Sequence, residues 1–189
     1  MAVFYIVFLL IIIQRFAELR IANRNRKWML ARGGTEIGAG HYPLIVLLHA
    51  GFFACLWIEA VLKGFPVSGV WPFIVCLLVI VQVIRYWAIT SLGPYWNTRI
   101  IFVPGADAVH KGPYRYMRHP NYSVVILELL LIPLLFNAYI TLLLFGFLNA
   151  LMLRHRIRVE EEGLINHTNY GKTMEGRSRF IPAKPEEKT

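Results

Sequence analysis

Charge is scarce in this chain, and acid is scarcer than base. Of 189 residues only 16% are Asp, Glu, Lys or Arg, 11 acidic against 20 basic, while 57% are hydrophobic. That balance excludes an ordinary water-facing globule and points to lipid. Cysteine is nearly absent as well. Cys55 and Cys76 fall in apolar stretches, outside any Cys-x-x-Cys or Cys/His cluster, so neither a disulfide nor a metal site is expected. No two histidines stand at ligand spacing with a carboxylate; His41 and His49 read as helix-end or packing residues. Gly38-Ala39-Gly40 lacks the third glycine of a dinucleotide fingerprint and precedes an apolar run, so residues 33–40 are expected to form a flexible lead-in loop. The first apolar run has no basic residue ahead of it and no small-residue cleavage site behind it, and reads as a retained helix rather than a secretory signal. Internal repeats, heptads and long low-complexity tracts are missing.

What is present is oil in blocks. Apolar stretches cover roughly residues 2–22, 41–62, 69–91 and 122–153. A bilayer takes about 20 residues per spanning helix, so the first three blocks each cross once. The fourth is too long for one span, and Pro133 with Phe136-Asn137-Ala138 offers a tight turn within it. The expected fold is an all-α integral membrane protein, one domain over residues 1–189, with five transmembrane helices of which the fourth and fifth are short. Basic residues sort with that count: five at 20–40, one at 63–68, four at 92–121, none near 137 and eight from 154 onward. Rich and poor loops alternate only if the N-terminus is outside and the C-terminus cytoplasmic. The excess positive charge then marks cytoplasmic loops and the bilayer surface, and no nucleic-acid partner is required. The tail from Arg154 opens helically through Leu164 and is expected to fray near Pro182 and Pro185.

Ionisable groups within such helices cost about 2.5–3.5 kcal/mol each, so each asks for a partner or a task. Arg15 and Glu18 are three apart and can pair; Gln82 and Arg85 repeat that spacing, and Glu128 lies seven residues beyond Asn121. They either knit the helices together or line a polar chamber roofed by residues 111–122. After the last apolar block, Asn149, Arg156 and Glu160 share one helical stripe, though Arg154 to Glu162 by itself reads as a solvated, charge-alternating face. The Asn-x-Ser/Thr matches at Asn121 and Asn166 fall in expected cytoplasmic segments and read as accidental.

The densest polar segment is Lys111-Gly-Pro-Tyr-Arg-Tyr-Met-Arg-His-Pro-Asn-Tyr122, stiffened by two prolines. Gly112-Pro113-Tyr114, Arg118-His119-Pro120-Asn121-Tyr122, and then Arg156-Ile157 with Glu160-Glu161-x-x-Leu164 resemble, in order and spacing, the membrane methyltransferases typified by isoprenylcysteine carboxyl methyltransferase. The resemblance covers roughly residues 99–182, through Arg179-Phe180-Ile181-Pro182. Gln14-Arg15-x-x-Glu18, Arg24-Asn25, Arg32-Gly33-Gly34 and the segment Ser91 to Arg99 are similar to a bacterial branch, some members of which O-methylate long-chain alkylpyrones.

The resemblance implies S-adenosyl-L-methionine as cofactor without a soluble Rossmann-type domain. It places Tyr114, His119, Pro120, Asn121 and Tyr122 in the cofactor pocket, with backbone from Ala106, Asp107, Ala108 and Val109 beside them. A family His-x-Leu-Val stretch stands here as Ala106-Asp107-Ala108-Val109, so contact there falls to the main chain. Glu160 is implied to meet the cofactor's methionine end, and Arg156, as the catalytic residue, the acceptor's anionic oxygen. The implied reaction is O-methylation of a carboxylate or enol on a lipophilic acceptor, an alkylpyrone or a prenylated cysteine, in a bacterial cytoplasmic membrane with the cofactor site on the cytoplasmic side. Rival readings are a phospholipid N-methyltransferase, a small transporter or scaffold without enzymatic activity, and a membrane reductase using a nicotinamide cofactor.

Overall fold

Three prolines open three of the long helices. Pro43, Pro72 and Pro120 sit in the first turns of α2 (Tyr42–Leu62), α3 (Trp71–Leu92) and α4 (Pro120–Leu135), where a missing N–H costs nothing. With α1 (Ala2–Leu30) and α5 (Tyr139–His167) they make a bundle of five; a short α6 (Tyr170–Thr173) follows. The structure is a computed structural model and describes residues 1–182, so Pro185 lies outside the described residues. Among the described residues four helices are long and apolar enough to cross a membrane, and α4, at 16 residues, is a shorter apolar helix.

The turn expected at Phe136–Ala138 is there. Pro133 sits in the last turn of α4, and Asn137 takes a left-handed conformation at φ 51°, which Asn tolerates better than most residues. Glu59 of α2 caps the following helix: its carboxylate accepts the Thr141 N–H at 2.8 Å and the Ile140 N–H at 3.1 Å, at the positive end of the α5 dipole. Around this far end of the bundle Phe4, Phe52, Leu56, Leu135, Phe136 and Phe145 form the main apolar core.

Three expectations need correction. Helix α5 is not short: it runs 29 residues without a break, because hydropathy reports lipid contact and not helicity, and the polar stretch after Arg154 continues the same helix. Residues 33–40 are not simply a loop. β1 (Thr35–Ile37) pairs antiparallel with β2 (Ile100–Phe102), Glu36 opposite Ile101, so the fold carries a small two-stranded ribbon beside its helices. Arg26 and Arg99 both bind Glu36, which ties the ribbon to α1. The stretch from Arg154 to Glu162 is no plain solvated face either, since Arg156, Ile157 and Glu161 are buried.

The intramembrane charges form one closed lattice across α1, α3 and α4. Arg85 donates to Glu128 at 2.7 Å and to Glu18 at 2.6 Å, and Arg15 reaches the same two carboxylates at 2.8 and 2.7 Å. Gln14 and Gln82 bond each other at 2.7 Å, and each donates to one of the acids. Two acids face two arginines, so burial leaves no net charge exposed to hydrocarbon.

Candidate active site

The motif segments converge where α4 and α5 meet the two irregular stretches 93–99 and 103–119. Gly112 makes the convergence possible: it stands at φ 54°, and a Cβ there would lie 2.0 Å from Ser91 Oγ. The Gly-Pro-Tyr turn can therefore lie flat on α3, with Tyr114 buried beneath it. Asn25 fastens the other stretch, donating to the carbonyls of Gly93 and Trp96 at 3.1 and 2.8 Å, while Asn97 returns a bond to the Ala22 carbonyl at 3.0 Å.

The Glu-Glu pair divides into two tasks. Glu161 turns away from the cavity, stays buried and holds the motif together, 3.0 Å from His119 Nε2 and 2.7 Å from Arg179, with Arg118 at 3.8 Å. The backbone repeats the clasp: the N–H groups of Arg118 and His119 donate to the carbonyls of Ser178 and Arg179, each at 3.0 Å. Glu160 turns inward and accepts the hydroxyl proton of Tyr122. Tyr122 Oη in turn accepts Nε–H of Arg156 at 2.6 Å, and Arg156 Nη2 donates to the Thr98 carbonyl at 2.7 Å. Arg156 and Glu160 are thus linked through a phenol rather than as a direct ion pair. Tyr122 lies in the first turn of α4 and is buried against Leu153 and Ile157. His119 is also buried, immediately before α4.

A cavity of about 500 Å³ opens on this network, within the range of small-molecule sites. Ala106, Asp107, Ala108, Val109, Tyr114, His119, Asn121, Tyr122, Arg156 and Glu160 all line it. Pro120 does not; it is fully buried as the first residue of α4. The 106–109 stretch is held by Asn169, whose amide oxygen accepts the Ala108 N–H at 2.8 Å and whose NH2 donates to Asp107 at 2.7 Å. Among the described residues, four buried side-chain polar atoms lack a hydrogen-bond partner: Trp96 Nε1, Arg118 Nε, Asn121 Oδ1 and Tyr170 Oη. All four residues line this cavity, as expected of a site shaped for a polar ligand. Burial and the nearby Glu160 push the Tyr114 hydroxyl up, and burial with Glu161 and Glu160 does the same for Tyr170, so both stay protonated.

Residues 74–166 match the sequence profile of the isoprenylcysteine carboxyl methyltransferase (ICMT) family. A relative in Bacillus subtilis strain 168, the uncharacterized protein YpbQ, is 47% identical over 161 residues, 85% of this chain and 96% of that protein. The chain belongs to the ICMT family. An uncharacterized protein of Haemophilus influenzae is 27% identical over 160 residues, 84% of this chain and 93% of that one. As an ICMT-family chain with several membrane-length apolar helices, this is an integral membrane protein of a methyltransferase family.

Sequence reading missed Tyr170, Trp96 and Asn169. Tyr170 and Asn169 follow α5 in a polar stretch with no pattern to single them out. Trp96 was visible only as part of the Ser91–Arg99 segment, and its unpartnered indole N–H is a tertiary fact.

Proposed function

We propose that this chain is an S-adenosylmethionine-dependent O-methyltransferase for a lipophilic acceptor bearing an acidic oxygen, with long-chain alkylpyrones ahead of prenylated cysteine. The observation that carries the reading is the Arg156–Tyr122–Glu160 relay on the cavity wall. S-adenosylmethionine, when bound, supplies an electrophilic methyl group on a sulfonium. The residues present fit it: unpartnered polar atoms of Trp96, Asn121 and Tyr170, the held 106–109 backbone, and the carboxylate of Glu160 for an ammonium group.

An acceptor carboxylate, with a pKa near 3.5, is already ionised at neutral pH, and an acidic enol largely so; no strong base is needed. The chain's work is then to orient and to keep dry. Tyr122 and Thr98 fix the guanidinium of Arg156 through Nε and Nη2, leaving Nη1 for an incoming oxygen. A permanently charged arginine favours an anion and disfavours the amine of a phospholipid. Beyond the polar end Ile12, Phe16, Leu19, Ile45 and Phe53 add apolar wall to the cavity. Phe16, Leu19 and Val46 also face the outer surface, which supports lateral passage of a tail between α1 and α2.

The reading places the N-terminus outside, the motif end in the cytoplasm, and the chain in a bacterial cytoplasmic membrane. Incubating purified protein with methyl-labelled cofactor and, separately, an alkylpyrone, a prenylcysteine and phosphatidylethanolamine tests it. Label on the pyrone oxygen is expected, and preference for the amine would refute it.

A further inference from the structure

The cavity holds a second polar layer. On α2, α4 and α5 the residues at the motif end of the cavity are Tyr42, Asn121 and Arg156; seven residues deeper on the same helices stand His49, Glu128 and Asn149. From α1, Arg15 joins that level through its bond to Glu128. Seven residues rise about 10 Å along a helix. Helices α2 and α5 run antiparallel in a steady register: the His41 and His155 rings lie 5.3 Å apart and those of Phe52 and Phe145 5.7 Å. His49 and Asn149 therefore stand at one depth. Both line the cavity, as do Arg15, Glu18 and Arg85.

Most of this layer is spoken for, because Arg15, Glu18, Arg85 and Glu128 satisfy one another. His49 and Asn149 are not. His49 Nδ1 lies 2.8 Å from the Ile45 carbonyl and must carry its proton there, so Nε2 of the neutral ring is an acceptor. Asn149 is 4% exposed and makes no side-chain hydrogen bond among the described residues. A chamber for hydrocarbon alone would fill these places with residues like their neighbours Leu48, Phe53, Met152 and Leu153. Neither the Asn149 amide nor His49 Nε2 belongs to the four sealed, unpartnered atoms, so both open on the cavity, where a ligand hydroxyl can pair with them.

We propose that the acceptor carries a hydroxyl on its chain, about 10 Å from the methylated oxygen, which donates to His49 Nε2 and accepts from the Asn149 amide. The inference rests on Arg156 as the head-group residue of the proposed function.

The test uses the full chain in lipid nanodiscs and two synthetic probes. One is a 4-hydroxy-2-pyrone with a saturated alkyl chain; the other is the same compound with one hydroxyl at that distance. KM with labelled cofactor, and equilibrium binding without cofactor, are measured for both. In the native protein the hydroxylated probe is expected to win by roughly tenfold in each readout. The ratio should fall to near one in Asn149→Leu and in His49→Leu. If either leucine variant does not fold, Asn149→Ala or His49→Ala takes its place with the same expected loss. A native ratio near one, or a preference that survives both substitutions, overturns the inference while leaving the proposed function standing. If neither probe is methylated, the proposed acceptor class fails, and the binding ratio alone then decides for or against the second polar layer.

Discussion

Tyr122→Phe removes one oxygen and cuts the relay in two places. The hydroxyl donates to Glu160 and accepts from Arg156 Nε at 2.6 Å, so two hydrogen bonds to charged groups are lost without changing the ring that packs on Leu153 and Ile157. Hydrogen bonds to charged groups contribute about 1.5–3 kcal/mol each. Arg156 and Glu160 sit one turn apart on α5 and can recover part of that by pairing directly, a contact worth about 0.3–0.5 kcal/mol when exposed. A net loss of about 2.5–5.5 kcal/mol remains, a fall in kcat/KM of roughly 70-fold to ten-thousandfold at about 1.36 kcal/mol per decade. Initial rates with labelled cofactor and an alkylpyrone, beside thermal unfolding, measure it. Both bonds are already present in the unliganded fold, so the melting temperature should fall as well. A variant within about threefold of the native rate would refute the relay as the organiser of the site.

Arg156→Ala should chiefly damage turnover and acceptor use, whereas Glu160→Gln should chiefly weaken S-adenosylmethionine binding; calorimetry and initial rates on both variants separate the roles, and losing one partner of such a contact costs about 2–5 kcal/mol. Glu161→Gln frees His119 and Arg179 together, so it should lower stability by about 3 kcal/mol in denaturant titration and loosen the Arg118–His119 segment to proteolysis. For Glu36, burial alone would raise the carboxyl, but hydrogen bonds from Arg99 and Arg26 outweigh it and hold the group below its ordinary value. Its contribution to stability is therefore complete above the unfolded value of 4.5 and lost as pH falls through the lower folded one, and the stability gap between native protein and Glu36→Gln should close over that acidic range. With Cys55 and Cys76 replaced by serine, a cysteine introduced at Gly105 should react only from the cytoplasmic side, and reaction from outside would reverse the orientation.

Patterns that live within one helix were legible in the sequence. The Arg15–Glu18 pair follows from spacing, and the turn after α4 from Pro133 and Asn137, because each is decided by its neighbours in the chain. The junction of that pair with Arg85 and Glu128 is decided by helix packing, and no spacing encodes it. The three-residue strands are too short to show a period of two, which is how residues 35–37 passed for loop. Motif order brought Arg156, Glu160 and Tyr122 into one group, yet the intervening phenol and the turn of Glu161 away from the cavity depend on a rotation of α5 that only the folded bundle sets. Tyr170 and Asn169 stayed hidden because a lone polar residue beyond a helix end carries no local signature.

The backbone clasp between Arg118–His119 and Ser178–Arg179 has a consequence for how the protein comes to exist. The two halves of that clasp are separated by about sixty residues of chain, including all of α4, α5 and α6. During synthesis the cavity wall emerges first and stays unlatched while both helices are threaded into the bilayer. Only when the segment around Ser178 clears the ribosome can Arg179 close on Glu161 and the His119 backbone find its acceptor. Assembly of the site is thereby timed to follow membrane insertion, and a nascent chain interrupted earlier has its helices but no finished binding wall.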